Sequence, residues 1–143
     1  MFKQRVYTAV IIAGLFLSGV AFLSGAWGVS FLGAVWLLGA YEWCSFASVT
    51  NRFAKLAYTG ITALLMYALY VLVGDPLLGY DEAILKPFLM TAVVCWAVML
   101  LWVQSYPSSA VLWRSTPMVL LAGWVVMIPA WLSMAVLQAE SAY

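Results

Sequence analysis

The stretch VYTAVIIAGLFLSGVAFLSGAWGVSFLGAVWLLGAY, residues 6–41, decides the fold class because no side chain in it is charged. A helix needs about 20 mainly apolar residues to cross the roughly 30 Å hydrocarbon core of a bilayer. The stretch is long enough for two such helices, and residues 24–28, Ser-Gly-Ala-Trp-Gly, have the small residues typical of a turn. It therefore predicts two membrane helices, at about residues 6–23 and 29–46.

The composition of the whole chain indicates the same class. Of the 143 residues, 67% are hydrophobic and 8% are charged, and the mean hydropathy is +1.06. A soluble domain needs far more polar side chains on its surface. Further apolar runs bounded by charges, glycine and proline predict spans at about residues 53–73, 87–103 and 116–137. We expect an all-α, polytopic integral membrane protein with about five transmembrane helices in a single domain, residues 1–143.

Glycine and proline mark the predicted helix ends. Residues 74–76, Gly-Asp-Pro, should terminate the third span, and Pro87 should begin the fourth. Thr116 is a plausible N-cap for the fifth span, with Pro117 at the first helical position. Pro129 lies inside that span and should kink it, because proline removes one backbone hydrogen bond.

The basic residues predict the orientation, because cytoplasmic loops carry an excess of lysine and arginine. If there are five spans, five of the six basic residues share one face: Lys3, Arg5, Arg52, Lys55 and Arg114. The opposite face receives the acidic loop of residues 75–82 and the C-terminal tail. We expect a bacterial-type inner membrane protein with a cytoplasmic N-terminus and an outside C-terminus.

Several kinds of site are disfavoured by the residues present. The chain has no histidine, which excludes Ser-His-Asp triads and histidine-ligated metals, and its dispersed basic residues do not favour nucleic acid. Cys44 and Cys95 lie in apolar segments, where buried free thiols are expected. Asp81 and Glu82 supply too few oxygen ligands for a complete cation site, so a solvated loop is favoured and no metal site is predicted.

Glu42 is the one acidic residue predicted on the basic face. It lies four residues, or about 6 Å, before the end of the second span, at the level of the lipid headgroups. A charge at this depth costs less than at the midplane, and the neighbouring Trp43 suits an interface. One interpretation is an ion pair, most simply with Arg114, for which Arg5 and Arg52 compete. The other is a direct role in handling an ion or a substrate.

Four ordered blocks of the sequence carry a family resemblance: FKQRVYTAV, GAYEW followed by VTNR, SYPSSAVLWRSTP, and VVMIPAWLSMAVL. Together they resemble the N-terminal half of bacterial phosphatidate cytidylyltransferase, and the similarity covers nearly the whole chain. The shared landmarks, which are not the catalytic residues of that family, are Lys3, Arg5, Glu42, Trp43, Tyr106, Pro107, Ser109, Trp113, Arg114 and Pro129.

The resemblance implies a membrane enzyme that condenses CTP with phosphatidate to CDP-diacylglycerol and pyrophosphate with the help of divalent metal ions, magnesium being implied for the full enzyme. The Asp-, Lys- and Gly-rich signature of the family lies later than this sequence extends. We therefore expect the chain to supply scaffold with no catalytic residue, to be inactive alone, and to associate with membrane lipids and with itself or a catalytic C-terminal half. The alternatives are a non-catalytic membrane partner or paralogue, and a small transporter using Glu42 as its coupling carboxylate.

Overall fold

The computed structural model describes residues 2–75 and 79–140, with side chains for residues 6–75 and 79–139. Within these ranges every regular element is helical, which confirms the all-α prediction. The helices are α1 (Phe2–Phe22), α2 (Gly25–Phe46), α3 (Arg52–Val73), α4 (Glu82–Gln104), α5 (Ala110–Trp113) and α6 (Thr116–Glu140).

Four of the described helices, α2, α3, α4 and α6, are long and apolar enough to cross a membrane. The apolar part of α1, Val6–Phe22, is shorter, so the fifth span remains a prediction. The chain is thus an integral membrane protein by length and composition of its helices.

Helix α6 is the central element, because it packs against α2, α3 and α4, whereas α1 packs against α2. The main core contains the buried residues Leu32, Met66, Val73, Leu85, Ile128, Trp131, Leu132 and Val136. Lipid tails are as apolar as these side chains, so close packing and hydrogen bonds between helices must hold the bundle together.

The connection between α1 and α2 is tighter than the sequence predicted. The turn expected at residues 24–28 is wrong, because α2 already begins at Gly25, which has a φ of +61°. Gln138 of α6 supplies the reason: its Nε2 donates to the carbonyl of Leu23 at 2.6 Å, satisfying a group that the end of α1 leaves open. Gly28 makes room for it, since a Cβ there would lie 2.3 Å from Gln138 Nε2.

The fourth span also begins earlier than predicted. Helix α4 starts at Glu82, and the Asp81 side chain caps it by accepting a hydrogen bond from the amide of Ala83 at 2.8 Å. Glu82 forms an ion pair with Lys86 one turn later. The predicted start at Pro87 is therefore wrong, because this proline lies inside the helix. The solvated loop expected for Asp81 and Glu82 is instead the N-cap and the first residue of α4.

The predicted end of α3 and the predicted start of α6 agree with the structure. Helix α3 ends at Val73, and Gly74 follows with a φ of +97°, a conformation that favours glycine. Pro76 lies outside the described residues. Helix α6 begins at Thr116, so Pro117 lies in its first turn.

Candidate functional site

One end of the bundle collects the basic residues, and we call it the basic end. It consists of the last turn of α2, residues 47–51, the first turn of α3, residues 105–115 and the first turn of α6. Helix α1 runs antiparallel to α2 across a two-residue connection, so its first turn lies at the same end. The basic end therefore holds the five positions predicted on the inner face: Lys3, Arg5, Arg52, Lys55 and Arg114.

Two aromatic side chains join α2 and α3 to α6 just inside the basic end. The Trp43 indole Nε1 donates to the carbonyl of Val119 at 2.8 Å, and the Tyr58 hydroxyl donates to the carbonyl of Leu120 at 2.9 Å. A carbonyl oxygen has two lone pairs, so each can accept these bonds in addition to its helical one. Polar groups that pair across helices in this way stabilise a bundle in lipid, where water does not compete.

Gly123 lets both aromatic groups reach α6. A Cβ at this position would lie 2.5 Å from the Tyr58 hydroxyl oxygen and 2.6 Å from Trp43 Nε1, distances that real Cβ atoms do not adopt. The absence of a side chain is therefore a requirement of the junction between the three helices. A glycine inside a helical pattern is the sequence signal that could have indicated this close approach.

A second layer of polar contacts continues the junction toward the core. The rings of Tyr58 and Trp124 stack with centroids 5.2 Å apart and planes 5° apart. Trp124 Nε1 donates to Thr62 Oγ1 at 2.9 Å, and the Thr62 hydroxyl donates to the carbonyl of Tyr58 at 2.8 Å. The fully buried Thr62 hydroxyl is thus satisfied as both donor and acceptor.

Residues 105–115 form a folded connection that includes the short helix α5, which the sequence analysis did not predict. Ser109 Oγ donates to the carbonyl of Trp102 at 2.5 Å, and Trp113 Nε1 lies 3.4 Å from the same Ser109 Oγ. The Tyr106 and Trp113 rings pack with centroids 6.5 Å apart, and the Tyr106–Pro107 peptide bond is cis. Five of the family landmarks therefore lie in this connection: Tyr106, Pro107, Ser109, Trp113 and Arg114.

An apolar cavity of about 400 Å³ opens between α2, α4, α6 and this connection, and we call it the basic-end cavity. Three indole rings and one phenyl ring contribute to its wall. Its lining residues are Trp43, Phe46, Met99, Trp102, Val103, Trp113, Val119 and Ala122. Arg114 follows directly after Trp113 in the sequence and is not itself among the lining residues.

Glu42 lies four residues before the end of α2, as predicted, and its side chain is exposed. Among the side chains that the structure describes, it forms no ion pair with Arg114, so that pairing is wrong; the side chain of Arg5 lies outside the described residues. Successive residues on a helix point about 100° apart; because Trp43 is directed at α6, the adjacent Glu42 faces away from the junction. Lys55, another basic residue of this end, donates from its Nζ to Ser45 Oγ at 2.8 Å.

Pro129 is the one landmark in the middle of the bundle. Proline has no amide hydrogen, so the carbonyl of Val125 has no helical donor. Trp96 Nε1 of α4 donates to that oxygen at 2.8 Å. The proline therefore creates a hydrogen-bonding site between α4 and α6. The kink expected at Pro129 remains a prediction.

Within the described residues, no group of three or more histidine, cysteine, aspartate or glutamate side chains could hold a metal ion. Cys44 and Cys95 are free thiols, and the buried Cys44 Sγ lies 3.6 Å from the carbonyl of Ala40. The donor groups that the structure describes thus do not fit a magnesium site in this part of the chain.

The fold and the basic end define a polytopic helical membrane protein with an aromatic junction and a lipid-compatible cavity at one end. The chain matches the model of the Cytidylyltransferase family over residues 3–142 and belongs to that family. The predicted family resemblance is thereby confirmed.

Two curated relatives give the same result. The chain is 33% identical to phosphatidate cytidylyltransferase of Pseudomonas aeruginosa over 138 residues, covering 96% of this chain and 48% of the relative. It is 30% identical to phosphatidate cytidylyltransferase of Haemophilus influenzae over 132 residues, covering 90% of this chain and 46% of the relative. The chain thus spans about half the length of the curated relatives it matches. No solved structure matches it.

Proposed function

We propose that this chain is the N-terminal membrane part of a phosphatidate cytidylyltransferase and supplies its scaffold. The observation that carries the proposal is the family match over residues 3–142, together with relatives of that name that are about twice as long. In the proposed reaction, a phosphate oxygen of phosphatidate attacks the α-phosphorus of CTP. The bond from that phosphorus to the pyrophosphate leaving group breaks, and CDP-diacylglycerol forms.

The scaffold role follows from what nucleotidyl transfer requires. The reaction has to neutralise a triphosphate and stabilise leaving pyrophosphate, tasks that usually recruit metal ions held by convergent carboxylates. Glu42 is the one acidic side chain that the structure describes at the basic end. We therefore assign the catalytic groups and the implied magnesium to the remainder of the enzyme, and to this chain the helices that support them.

The same proposal places the basic end in the cytoplasm of a bacterial-type inner membrane, with the C-terminus outside. The clustering of Arg52, Lys55 and Arg114 at one end of the bundle supports this orientation. The basic-end cavity has an apolar wall, which suits the acyl part of a lipid. We propose that this end faces the compartment that holds CTP.

A chimera tests the proposal. The aligned 138 residues of the Pseudomonas aeruginosa relative are replaced by this chain, and synthesis of CDP-diacylglycerol from CTP, phosphatidate and magnesium is measured in membranes that lack the native enzyme. We expect the chimera to be active and the 143-residue chain alone to be inactive. Activity of the chain alone would refute the scaffold role, and an inserted but inactive chimera would refute the shared function.

Two matched substitutions in the chimera test whether the junction matters. Trp43→Ala removes the bond between α2 and α6 and should lower activity, because the helices that hold the basic end would separate. Trp27→Ala changes an exposed indole at the opposite end and should leave activity unchanged. Equal effects of the two substitutions on activity per inserted protein would contradict the assigned role of the junction.

A further inference from the structure

Helix α1 is the least enclosed of the long helices, and it meets the others through its C-terminal part. Among its described side chains, residues 6–22, none is buried, whereas α2, α3, α4 and α6 all contribute residues to the main core. The side chains of residues 6–15 are exposed, and the partly buried positions are Phe16, Gly19 and Val20. Residues at this spacing lie on one face of a helix. The described packing of α1 is therefore one short stripe near its end.

The apolar contacts of this stripe are with α2. The centroid of the Phe16 ring lies 6.3 Å from that of Phe31 and 6.4 Å from that of Trp36. A Cβ at Gly19 would clash with the Phe31 ring, so the glycine permits the two helices to approach. Lipid tails are as apolar as these rings, so moving the rings from lipid to protein gives little net attraction. The apolar contacts by themselves therefore hold α1 weakly.

A hydrogen-bonding side chain of α6 adds a directional contact, which we call the Gln138 contact. Gln138 Nε2 donates to the carbonyl of Leu23 at 2.6 Å and lies 3.4 Å from the carbonyl of Val20. Both carbonyls belong to the last turn of α1, where helical donors run out. Gln138 is 8% exposed, and inside a bilayer little water competes for these groups. The Gln138 contact therefore supplies the specific attraction between α1 and the bundle.

A pocket of about 200 Å³ lies beside this contact, between α1, α2 and α6. Its lining residues are Val20, Leu32, Met134, Leu137 and Gln138. A void removes the dispersion contacts that its lining atoms would otherwise make. Helix α1 is thus loosely packed even where it meets its neighbours, which increases the share of its attachment that the Gln138 contact carries.

We propose that α1 is a separately releasable helix, held against α2 and α6 by the Gln138 contact, while α2, α3, α4 and α6 stay folded without it. Parts of a protein with few buried contacts open at a lower free energy than its core. Release leaves α1 tethered by the two-residue connection to α2. It opens the pocket to acyl chains and moves basic positions 3 and 5 relative to the rest of the basic end. The inference does not depend on the proposed catalytic function.

The test measures a distance between α1 and the bundle. The full chain, with Cys44 and Cys95 replaced by alanine, carries spin labels at Ile11→Cys and Leu64→Cys, exposed positions on α1 and α3. Double electron–electron resonance in lipid nanodiscs gives the distance distribution. We expect one main distance in this background and an added, longer component with Gln138→Leu. Each hydrogen bond lost should raise the ratio of released to docked α1 by about two- to tenfold.

A second variant reaches the same contact from α2 and keeps the test decisive if Gln138→Leu does not fold. Gly28→Ala places a Cβ against the Gln138 amide and 2.7 Å from the Leu23 carbonyl oxygen, so it should also produce the longer component. Two matched controls should keep the background distance. Gln104→Leu changes an exposed glutamine at the end of α4, and Gly14→Ala adds a Cβ that meets no atom within 4 Å.

The midpoint of unfolding by sodium dodecyl sulfate distinguishes release of α1 from loosening of the whole bundle. We expect Gln138→Leu and Gly28→Ala to leave this midpoint near that of their controls, because the main core does not include α1. The proposal is overturned if both variants keep the single background distance, or if the controls show the longer component equally. It is also overturned if the longer component appears only together with a lowered midpoint, since α1 would then be an integral part of one cooperative bundle.

Discussion

At the scale of the residue, Gly123 has the clearest structural requirement in the chain. Its missing side chain lets Trp43 and Tyr58 reach the carbonyls of α6, so one position controls how three helices meet. Gly60, inside α3, is the matched contrast, because a Cβ there would meet no atom within 4 Å. Two glycines inside helices therefore have different structural consequences.

We predict that Gly123→Ala destabilises the bundle by about 1–3 kcal/mol, the usual cost of forcing an extra group into a packed site. Gly60→Ala should leave stability unchanged or raise it, because alanine favours helix more than glycine does. The midpoint of unfolding by sodium dodecyl sulfate in mixed micelles, followed by circular dichroism, checks both variants. Equal midpoints for the two variants would mean that the aromatic groups can move aside without loss.

At the scale of the element, α6 continues through Pro129 because its neighbour α4 satisfies the group that the proline leaves open. The carbonyl of Val125 has no donor four residues later, and Trp96 Nε1 occupies that position at 2.8 Å. The indole of Trp96 on α4 thus replaces the backbone donor that Pro129 lacks. Neighbouring helices satisfy the open carbonyl in this way when proline lies inside a membrane helix.

A double-mutant cycle tests this coupling. Trp96→Phe should lower the free energy of unfolding by about 1 kcal/mol, because the Val125 carbonyl loses its donor. In a Pro129→Ala background the new backbone amide can satisfy the same carbonyl, so Trp96→Phe should cost measurably less. The same detergent unfolding assay gives all four values, with Trp27→Phe as the control for losing an indole. A cost of Trp96→Phe that is unchanged by Pro129→Ala would show that the two residues act independently.

At the scale of the whole molecule, the antiparallel helices bring basic residues from distant parts of the sequence to one end. Arg52, Lys55 and Arg114 lie within or beside the two connections at the basic end. At the other end, Asp81 is the N-cap of α4 and Glu82 is its first residue. This asymmetry is the physical basis for the proposed orientation.

We predict that reporter fusions after Arg52 report a cytoplasmic location, and that fusions after Asp81 and at the C-terminus report the opposite side. An N-terminal tag should be protected from protease added outside intact cells if α1 crosses the membrane. A cytoplasmic signal from the Asp81 fusion would contradict the orientation. An outside N-terminal tag, with the other fusions as expected, would show that α1 does not span.

The sequence by itself determined the class, most helix positions and the family. Apolar length and the scarcity of charge leave a helical membrane bundle as the available solution, because every backbone polar group in lipid must be satisfied internally. The end of α2, both ends of α3 and the start of α6 followed from glycine, proline and the limits of the apolar runs. The start of α4 did not, because the Asp81 side chain caps a turn that hydropathy alone assigns to a loop.

The tertiary structure alone decided the contacts between helices. Gln138 lies 115 residues from Leu23 and closes the turn after α1, and Tyr58 lies 62 residues from its acceptor on α6. No local pattern encodes such pairs, because they depend on which face of each helix meets its neighbour. The same reason explains the outcome at Glu42: its position four residues before the end of α2 followed from counting residues, but the exposure of its side chain depended on which face of α2 meets α6.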